Sequence, residues 1–263
     1  MIRAMTKTIW AMFVMCVCGL GCSSGAKEKP MPKTPRRVLF VGSELTSANG
    51  GVANALNRLS HGSLICVQSA TEGRSLAWQW NQGGALQTLR SDRWDDVVLQ
   101  ENPRDLLIKR DMFQLFVGRF DAEIQRVGAR TVVLVPIPRA DQLQTGAVMF
   151  NACEETAATH HAMMAPVGIA FEAAARKRAD LELYGGNKIT PSPAGTYLAA
   201  CVLYMTLLDR SPVGLENFVV DERGKALITL PPEDAKFLQQ VAKETVIAER
   251  GEYDPEMEKM LKK

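Results

Sequence analysis

Residues 37–42 read Arg-Val-Leu-Phe-Val-Gly, a short apolar run that ends in glycine. Four further apolar runs follow along the chain, at 63–68, 96–100, 131–136 and, more weakly, 163–167. Nearly continuous apolar runs of this length are typical of strands covered on both faces, as in a parallel sheet between helix layers. We therefore predict five strands of this kind.

Segments with helical character lie between the predicted strands. They cover 51–59, 76–89, 111–127, 148–160 and 167–178, and two more follow at 194–208 and 231–249. The alternation of strand and helix predicts right-handed crossovers, a mostly parallel central sheet and a three-layer α/β/α architecture. Since no second linker interrupts the pattern, we predict one domain over 37–250 and a charged tail over 251–263.

The first 21 residues have the layout of a secretory signal peptide. Arg3 and Lys7 precede an uncharged apolar segment, 9–20, that is too short to span a bilayer comfortably. The segment leads through Gly-Leu-Gly into Cys22, which resembles the signal of a bacterial lipoprotein, where cleavage before the cysteine leaves it lipidated at the new N-terminus. An ordinary cleaved signal and an uncleaved anchor helix are the alternatives. We expect lipidation at Cys22 and anchoring to a bacterial membrane, in the periplasm or at the cell surface.

A basic, proline-containing segment over 22–36 has no apolar periodicity and is predicted to be an extended tether. The whole sequence has 31 Lys and Arg against 29 Asp and Glu, whereas residues 38–263 have 24 against 28, a net charge of −4. Such a domain lacks the basic excess typical of nucleic-acid binding, so we expect no nucleic-acid partner. Its three cysteines are predicted to be small buried hydrophobic residues, with one disulfide among them as the alternative: Cys66, Cys153 and Cys201.

Ligands of parallel α/β sheets bind at the carboxyl ends of the strands. The segments that reach this edge are 42–49, 69–75, 100–105 and 136–141, together with the loop 184–192 before the long apolar helix. The three histidines fall outside these segments and are predicted to have structural or surface roles: His61, His160 and His161.

Four segments resemble the sequence blocks of the SGNH/GDSL hydrolases, which are esterases and acylhydrolases with a flavodoxin-like α/β/α fold. They are 38–46 (Val-Leu-Phe-Val-Gly-Ser-Glu-Leu-Thr), 72–76 (Glu-Gly-Arg-Ser-Leu), 94–101 (Trp-Asp-Asp-Val-Val-Leu-Gln-Glu) and 184–200, which begins Tyr-Gly-Gly-Asn-Lys-Ile-Thr-Pro. The third block is similar to a carbohydrate-esterase-like branch. The resemblance spans most of 37–208. It implies a serine nucleophile, a histidine base, an aspartate that orients the histidine, and donors that hold the oxyanion.

The resemblance places all three triad positions on residues with other chemistry. The serine position falls on Glu44, the aspartate position on Asn187 and the histidine position on Thr190. The oxyanion donors are matched by the backbone N–H of Gly73 and the side-chain amide of Gln100. Because threonine is no general base near neutral pH, we expect the ordinary serine-esterase reaction to be absent.

Two functional hypotheses follow. In the first, the domain is catalytically degenerate and binds a carbohydrate or acylated ligand, or serves as an interaction domain. In the second, it is an active hydrolase of ester or glycan substrates centred on Glu44, which would need a second carboxylate nearby. The candidates for that carboxylate are Glu72, Glu101, Asp105 and Asp141.

Ser43 is retained as a pocket residue, although it lies one position before the family's serine. Moving one residue along a tight turn swings the side chain elsewhere, so we do not expect Ser43 to replace the nucleophile. No cluster of His, Cys and Asp has metal-ligand spacing, and neither hypothesis requires a cofactor.

Overall fold

The computed structural model describes residues 30–251. The signal peptide predicted over 1–21, the lipidation site Cys22, the first part of the tether and the tail from residue 252 lie outside the described residues. The side chain of Glu44 lies outside them as well. Among the helices that the structure describes, none is both long and apolar enough to cross a membrane.

Five parallel strands form the central sheet, which confirms the predicted sheet and its direction. The strands are β1 (Arg36–Gly42), β2 (Leu64–Ala70), β3 (Asp96–Gln100), β4 (Arg130–Leu134) and β5 (Met163–Ala165). Their spatial order is β2-β1-β3-β4-β5. Leu39 of β1 pairs with Val67 on one side and Val97 on the other, so β1 and β3 lie side by side.

Helices cover both faces of the sheet, as the predicted α/β/α architecture requires. They are α1 (Glu44–Ser47), α2 (Val52–Leu59), α3 (Leu76–Asn81), α4 (Ala85–Ser91), α5 (Pro103–Ile108), α6 (Arg110–Arg126), α7 (Gly146–Thr159), α8 (Val167–Lys177), α9 (Pro193–Leu208) and α10 (Pro232–Glu249). Val38 and Phe40 of β1 pack with α2, α8, α9 and α10. Leu39 and Val41 point to the opposite core, which is formed with α3 to α7.

Helix α9 is buried on all sides, which explains its apolar composition. Every residue from Ala194 to Leu208 is buried. Ser192 begins the helix as expected, because its Oγ accepts the N–H of Gly195 at 3.1 Å and Pro193 needs no hydrogen-bond acceptor for its nitrogen. The helix fixes the position of the preceding loop, 184–192, which carries part of the candidate site.

The helix predicted over 76–89 is two helices, α3 and α4. The break falls at Gly83 and Gly84, and Gly84 has a left-handed φ of 73°. A Cβ on Gly83 would lie only 2.2 Å from Oε1 of Gln79, so the chain can turn closely here only with glycine. The apolar pattern continues across this break, which is why it predicted a single helix.

Strand β2 corrects the prediction that each strand is covered on both faces. Leu64 and Cys66 pack against α2, but Ile65 is 40% exposed and Val67 is 36% exposed on the other face. β2 is an edge strand, and its free edge is partly closed by Asn57 of α2. The Asn57 side chain donates to the carbonyl of Cys66 at 3.0 Å and accepts its N–H at 2.6 Å.

Two short helices, α1 and α5, were not predicted from the sequence. The antiparallel hairpin of β6 (Phe218–Val220) and β7 (Ala226–Thr229) was not predicted either. Strands of three and four residues are too short to show a hydrophobic pattern of their own. Cys66, Cys153 and Cys201 are free and buried, in agreement with their predicted core roles.

Candidate functional site

The candidate site lies at the carboxyl edge of the sheet. The segments that follow β1, β2 and β3 meet there, and the loop before α9 closes them from one side. This arrangement follows from the parallel strands, whose carboxyl ends share one edge. The positions singled out from the sequence are distributed over these four segments.

Ser43 is fully buried at the end of β1. Its backbone N–H donates to Oε1 of Gln100 at 3.2 Å. Its Oγ has no hydrogen-bond partner among the described residues. A nucleophilic serine needs a base within hydrogen-bond reach and access to substrate, and among the described residues Ser43 Oγ has neither.

Gln100 has a different environment from the open pocket expected for it, since it is only 1% exposed. Its Oε1 accepts both the N–H of Ser43 and the hydroxyl of Thr46, the latter at 2.7 Å. Gly42 allows this close approach, because a Cβ there would lie 2.3 Å from Oγ1 of Thr46 and 2.7 Å from the Gln100 oxygen. Gln100 therefore holds the start of α1 against β3.

Glu44 is the first residue of α1, directly after Ser43. Because its side chain is outside the described part of the structure, its contacts are not assigned. The backbone position alone places it at the carboxyl end of β1, beside the residues that follow β3.

Asn187 and Thr190 are brought together, as the resemblance to a catalytic pair implies, but they form a closed turn. Oδ1 of Asn187 accepts the N–H of Ile189 at 3.0 Å, the N–H of Thr190 at 2.9 Å and the hydroxyl of Thr190 at 2.9 Å. Lys188 within the turn has a left-handed φ of 59°. Neither an amide nor a hydroxyl side chain can serve as a general base near neutral pH.

Asn49 connects the first and last segments of the site, and sequence reasoning missed it. Its Nδ2 donates to the carbonyl of Pro191 at 2.9 Å and to Oγ1 of Thr196 at 2.8 Å. Asn49 has a left-handed φ of 52°, as do the two glycines that follow it, at 83° and 90°. The Asn-Gly-Gly sequence at 49–51 was the available signal, because all three residues tolerate this conformation.

Gly73 lies in an exposed turn after β2 with a φ of 70°, and a Cβ built there would meet no atom within 4 Å. The guanidinium of the following residue, Arg74, stacks over the ring of Trp78 at 5.1 Å. The Gly73 turn is thus open to solvent, in contrast to the buried Ser43 and Gln100.

Glu101 is the buried carboxylate of the site. It is 3% exposed, and its oxygens accept the N–H of Leu76 at 3.2 and 3.3 Å and the N–H of Asn102 at 2.7 Å. Burial raises the pKa of Glu101 to about 7, against the lowering effect of these backbone hydrogen bonds. The hydrogen bond to Leu76 also places the carboxylate at the N-terminus of α3, where it stabilises the helix.

The other candidate carboxylates are more exposed. Asp141 pairs with Arg139 at 2.9 Å, which lowers its pKa, and the side chain of Asp105 pairs with Lys109 at 3.6 Å. Glu72 is exposed. The structure therefore supports only Glu101 as a buried carboxylate at this edge within the described residues.

The histidines lie away from the site, as predicted. His160 ends α7 with Nδ1 3.5 Å from the carboxylate of Asp121, and His61 is a turn residue with a φ of 48°. Both precede strands, so they belong to the amino edge of the sheet. Over residues 30–251, no group of three or more His, Cys, Asp and Glu side chains could hold a metal ion.

A surface cavity of about 800 Å³ lies against the loop before α9. Tyr184, Gly186, Lys188 and Thr190 line it, and Asn49 reaches it from the first segment. The hydroxyl of Tyr184 donates to the carbonyl of Pro138 at 2.9 Å, which fixes the ring. The cavity excludes Ser43 and Gln100, because both are buried beneath the surface.

No family model and no curated protein matches the sequence. Solved structures do match. A protein from Slackia heliotrinireducens, described as a candidate SGNH hydrolase, is 28% identical, with a TM-score of 0.57 over 66% of this chain and 100% of its own. A DUF4886 family protein from Bacteroides uniformis is 14% identical, with a TM-score of 0.63 over 85% of this chain and 99% of its own.

An acetyl xylan esterase is also similar, at 14% identity and a TM-score of 0.56 over 65% of this chain and 99% of its own. These structural neighbours, together with the parallel five-stranded sheet between two helix layers, identify the architecture as the SGNH/GDSL α/β/α hydrolase fold. The resemblance seen in the four sequence blocks is confirmed at this level.

Proposed function

We propose that this chain is an extracytoplasmic lipoprotein, anchored through Cys22, whose SGNH/GDSL-hydrolase-like domain has lost serine-ester hydrolysis and binds a carbohydrate or acylated ligand. The observation that carries the proposal is the turn in which Asn187 accepts both the N–H and the hydroxyl of Thr190. The two positions that resemble the aspartate and the histidine are bonded to each other, and neither can remove a proton from a nucleophile near neutral pH.

Ser43, at the end of β1, also supports the loss of catalysis. It is fully buried, and its Oγ makes no hydrogen bond to any of residues 30–251. Acyl transfer needs a nucleophile and a base in contact. The described residues contain no such pair at this edge of the sheet.

The cavity beside Thr190 supports ligand binding. Its volume of about 800 Å³ lies within the range of small-molecule sites. Tyr184 offers an aromatic ring, and the exposed backbone of Gly186 offers amide groups to hydroxyl or acyl oxygens. Because one structural neighbour is named as an acetyl xylan esterase, acetylated xylan oligosaccharides are the first ligands to test.

Hydrolysis and binding are tested separately. We expect the purified chain to hydrolyse short-chain nitrophenyl esters and acetylated xylan oligosaccharides no faster than buffer, and no faster than its Ser43→Ala variant. Ester hydrolysis that disappears in Ser43→Ala would overturn the loss of catalysis.

Binding of the same oligosaccharides is measured by calorimetry. Gly186→Phe should weaken it at least about tenfold, because Gly186 lines the cavity and a Cβ there meets no atom within 4 Å, so a bulky side chain at this position competes with the ligand for space. Ala122→Phe, on the exposed surface of α6, is the matched control. Absence of binding, or equal effects of the two variants, would contradict a ligand role for this cavity.

A hydrolase that uses Glu44 and Glu101 is the second candidate, favoured by the raised pKa of Glu101. A carboxyl group that keeps its proton near neutral pH can act as a general acid. This candidate predicts glycan or ester hydrolysis that both Glu44→Gln and Glu101→Gln abolish without lowering the melting temperature. An inactive wild-type chain rejects it.

A further inference from the structure

A second cavity, of about 400 Å³, lies at the amino edge of the sheet, opposite the candidate site. Arg36, Arg130 and Arg250 line it together with the last turn of α9. Arg36 is the first residue of β1, Arg130 is the first residue of β4, and Arg250 follows α10. Three distant parts of the chain thus bring three guanidinium groups to one opening.

The cavity has an excess of positive charge. Arg36 and Arg130 share one carboxylate, that of the fully buried Asp96, with Nε and a terminal nitrogen of Arg130 at 2.9 and 2.8 Å from it. Arg250 pairs with Asp209 at 2.6 Å. These five side chains comprise three positive groups and two carboxylates. Burial also raises the pKa of Asp96, which disfavours its charged form and enlarges the excess.

The carbonyl groups at the end of α9 would normally repel an anion, because a helix C-terminus carries partial negative charge. Here Arg36 donates to the carbonyl of Leu207, and Arg250 donates to the carbonyl of Met205. Arg130 faces the cavity with 54% of its side chain exposed. Only one edge of its guanidinium contacts Asp96, so the remaining donors are open to a ligand.

Arginine donors in this arrangement favour phosphate, which they bind through paired hydrogen bonds. The domain from residue 38 onward has a net charge of −4, so a general basic surface does not explain the site. Arg36 is also the last residue of the basic tether predicted over 22–36, which contains Lys27, Lys29 and Lys33. The cavity therefore lies where the folded chain joins the segment that leads to the proposed anchor.

We propose that this cavity binds the phosphate group of an anionic membrane lipid. The amino edge of the sheet then rests on the membrane, and the candidate site at the carboxyl edge faces away from it. The inference rests on the membrane anchoring included in the proposed function. Its test uses protein that carries no acyl group, so the result does not depend on lipidation of Cys22 or on ester hydrolysis.

The test measures co-sedimentation with vesicles of phosphatidylcholine, with and without phosphatidylglycerol. The protein is the chain from residue 22 with Cys22→Ser. It retains all of the buried residues that the structure describes, which lie between Val38 and Ile247. We expect binding only to the vesicles that contain phosphatidylglycerol. A basic residue near such a surface contributes about 1 kcal/mol, so Arg130→Gln should lower the partition coefficient about fivefold and Arg130→Gln with Arg250→Gln about 25-fold.

Arg104→Gln is the matched control, because Arg104 is exposed at the opposite edge of the sheet. Its partition coefficient should stay within about twofold of the parent. Arg130→Lys should weaken binding less than Arg130→Gln, because lysine keeps the charge but loses the paired donors. If Arg130→Gln lowers the melting temperature, Arg250→Gln alone decides the result, because Arg250 pairs with Asp209 at the surface. Equal losses in Arg104→Gln and the cavity variants would overturn the proposal.

Inorganic phosphate separates the lipid from a soluble ligand. We expect millimolar inorganic phosphate to leave the melting temperature unchanged, whereas phosphatidylglycerol vesicles bind. Stabilisation by phosphate that Arg130→Gln removes, without binding to vesicles, would assign the cavity to a soluble phosphate compound and overturn the lipid assignment.

Discussion

Replacing Glu101 with glutamine should remove a pH-dependent part of the stability of this fold. Glu101 is buried beneath the candidate site and accepts the N–H groups of Leu76 and Asn102. Glutamine keeps a carbonyl oxygen for these donors but does not titrate between pH 4 and 8. The substitution therefore tests the charge of the side chain with little change in its shape.

The magnitude follows from the pKa of Glu101, which burial raises from 4.5 to about 7, with a smaller raising effect of Asp105 and a lowering effect of Lys109. Between these two values the folded chain holds a proton that the unfolded chain has lost. Stability therefore decreases as the pH rises, by about 1.4 kcal/mol per pH unit. Across the window of about 2.5 units, Glu101 changes the free energy of unfolding by about 3 kcal/mol and favours the folded state at low pH.

The assay is urea denaturation of the wild-type chain and Glu101→Gln at several values between pH 4.5 and 8. Other titrating groups, including the buried Asp96, affect both proteins equally and cancel in the difference. The stability of the wild type relative to the variant should fall by about 3 kcal/mol from the low to the high end of this range. A difference that is constant with pH, or that changes in the opposite direction, would refute the reasoning about burial.

Three substitutions test the packing around the site by urea denaturation. Gly168→Ala places a Cβ 2.1 Å from the carbonyl oxygen of Pro136. Because a backbone oxygen cannot move aside as a flexible side chain can, we expect the free energy of unfolding to fall by about 1–3 kcal/mol. Asn187→Ala removes three hydrogen bonds from a solvent-exposed turn and should cost about 1–2 kcal/mol. Asn57→Ala uncovers the backbone of Cys66 on the edge strand, and should cost about 1–2 kcal/mol and promote association detectable by light scattering.

Each of these substitutions has a control. Gly186→Ala adds a methyl group in open space and should change stability by less than about 0.5 kcal/mol. Thr190→Val removes only one of the three hydrogen bonds to Asn187, so it should cost less than Asn187→Ala. Asn54→Ala lies on the same helix as Asn57, but the Asn54 side chain donates to the carbonyl of Gly50 and not to the backbone of Cys66. If a substitution and its control change the free energy of unfolding by the same amount, the contact proposed for that substitution is contradicted.

The fold was predictable from the local hydrophobic pattern where a strand or helix is buried on all of its faces. The run at 37–42 and the apolar helix α9 are unambiguous, because strands and helices covered on all sides have few polar positions. The hydrophobic pattern was less reliable for an element whose exposure depends on which other elements pack against it. Ile65 and Val67 have the composition of a buried strand, yet β2 is at the edge and one of its faces has no complete helix layer.

The candidate site was only partly predictable, because the residue types do not specify where their polar atoms point. The spacing of Asn187 and Thr190 indicated that they lie together, and they do. Nothing in the sequence indicated that Gln100 uses its oxygen to accept from Ser43 and Thr46, because β1 and β3 meet only in the folded sheet. The bridge made by Asn49 also spans more than 140 residues of sequence, beyond the range of local patterns.

The sequence by itself determined the α/β/α architecture and the parallel sheet, because the hydrophobic period of a segment is a local property. Only the tertiary structure decided that Ser43 and Gln100 are buried, that Glu101 has a raised pKa, and that three arginines share a cavity at the amino edge. Burial and charge environment depend on atoms from distant segments, and those segments come together only when the sheet and its two helix layers are assembled.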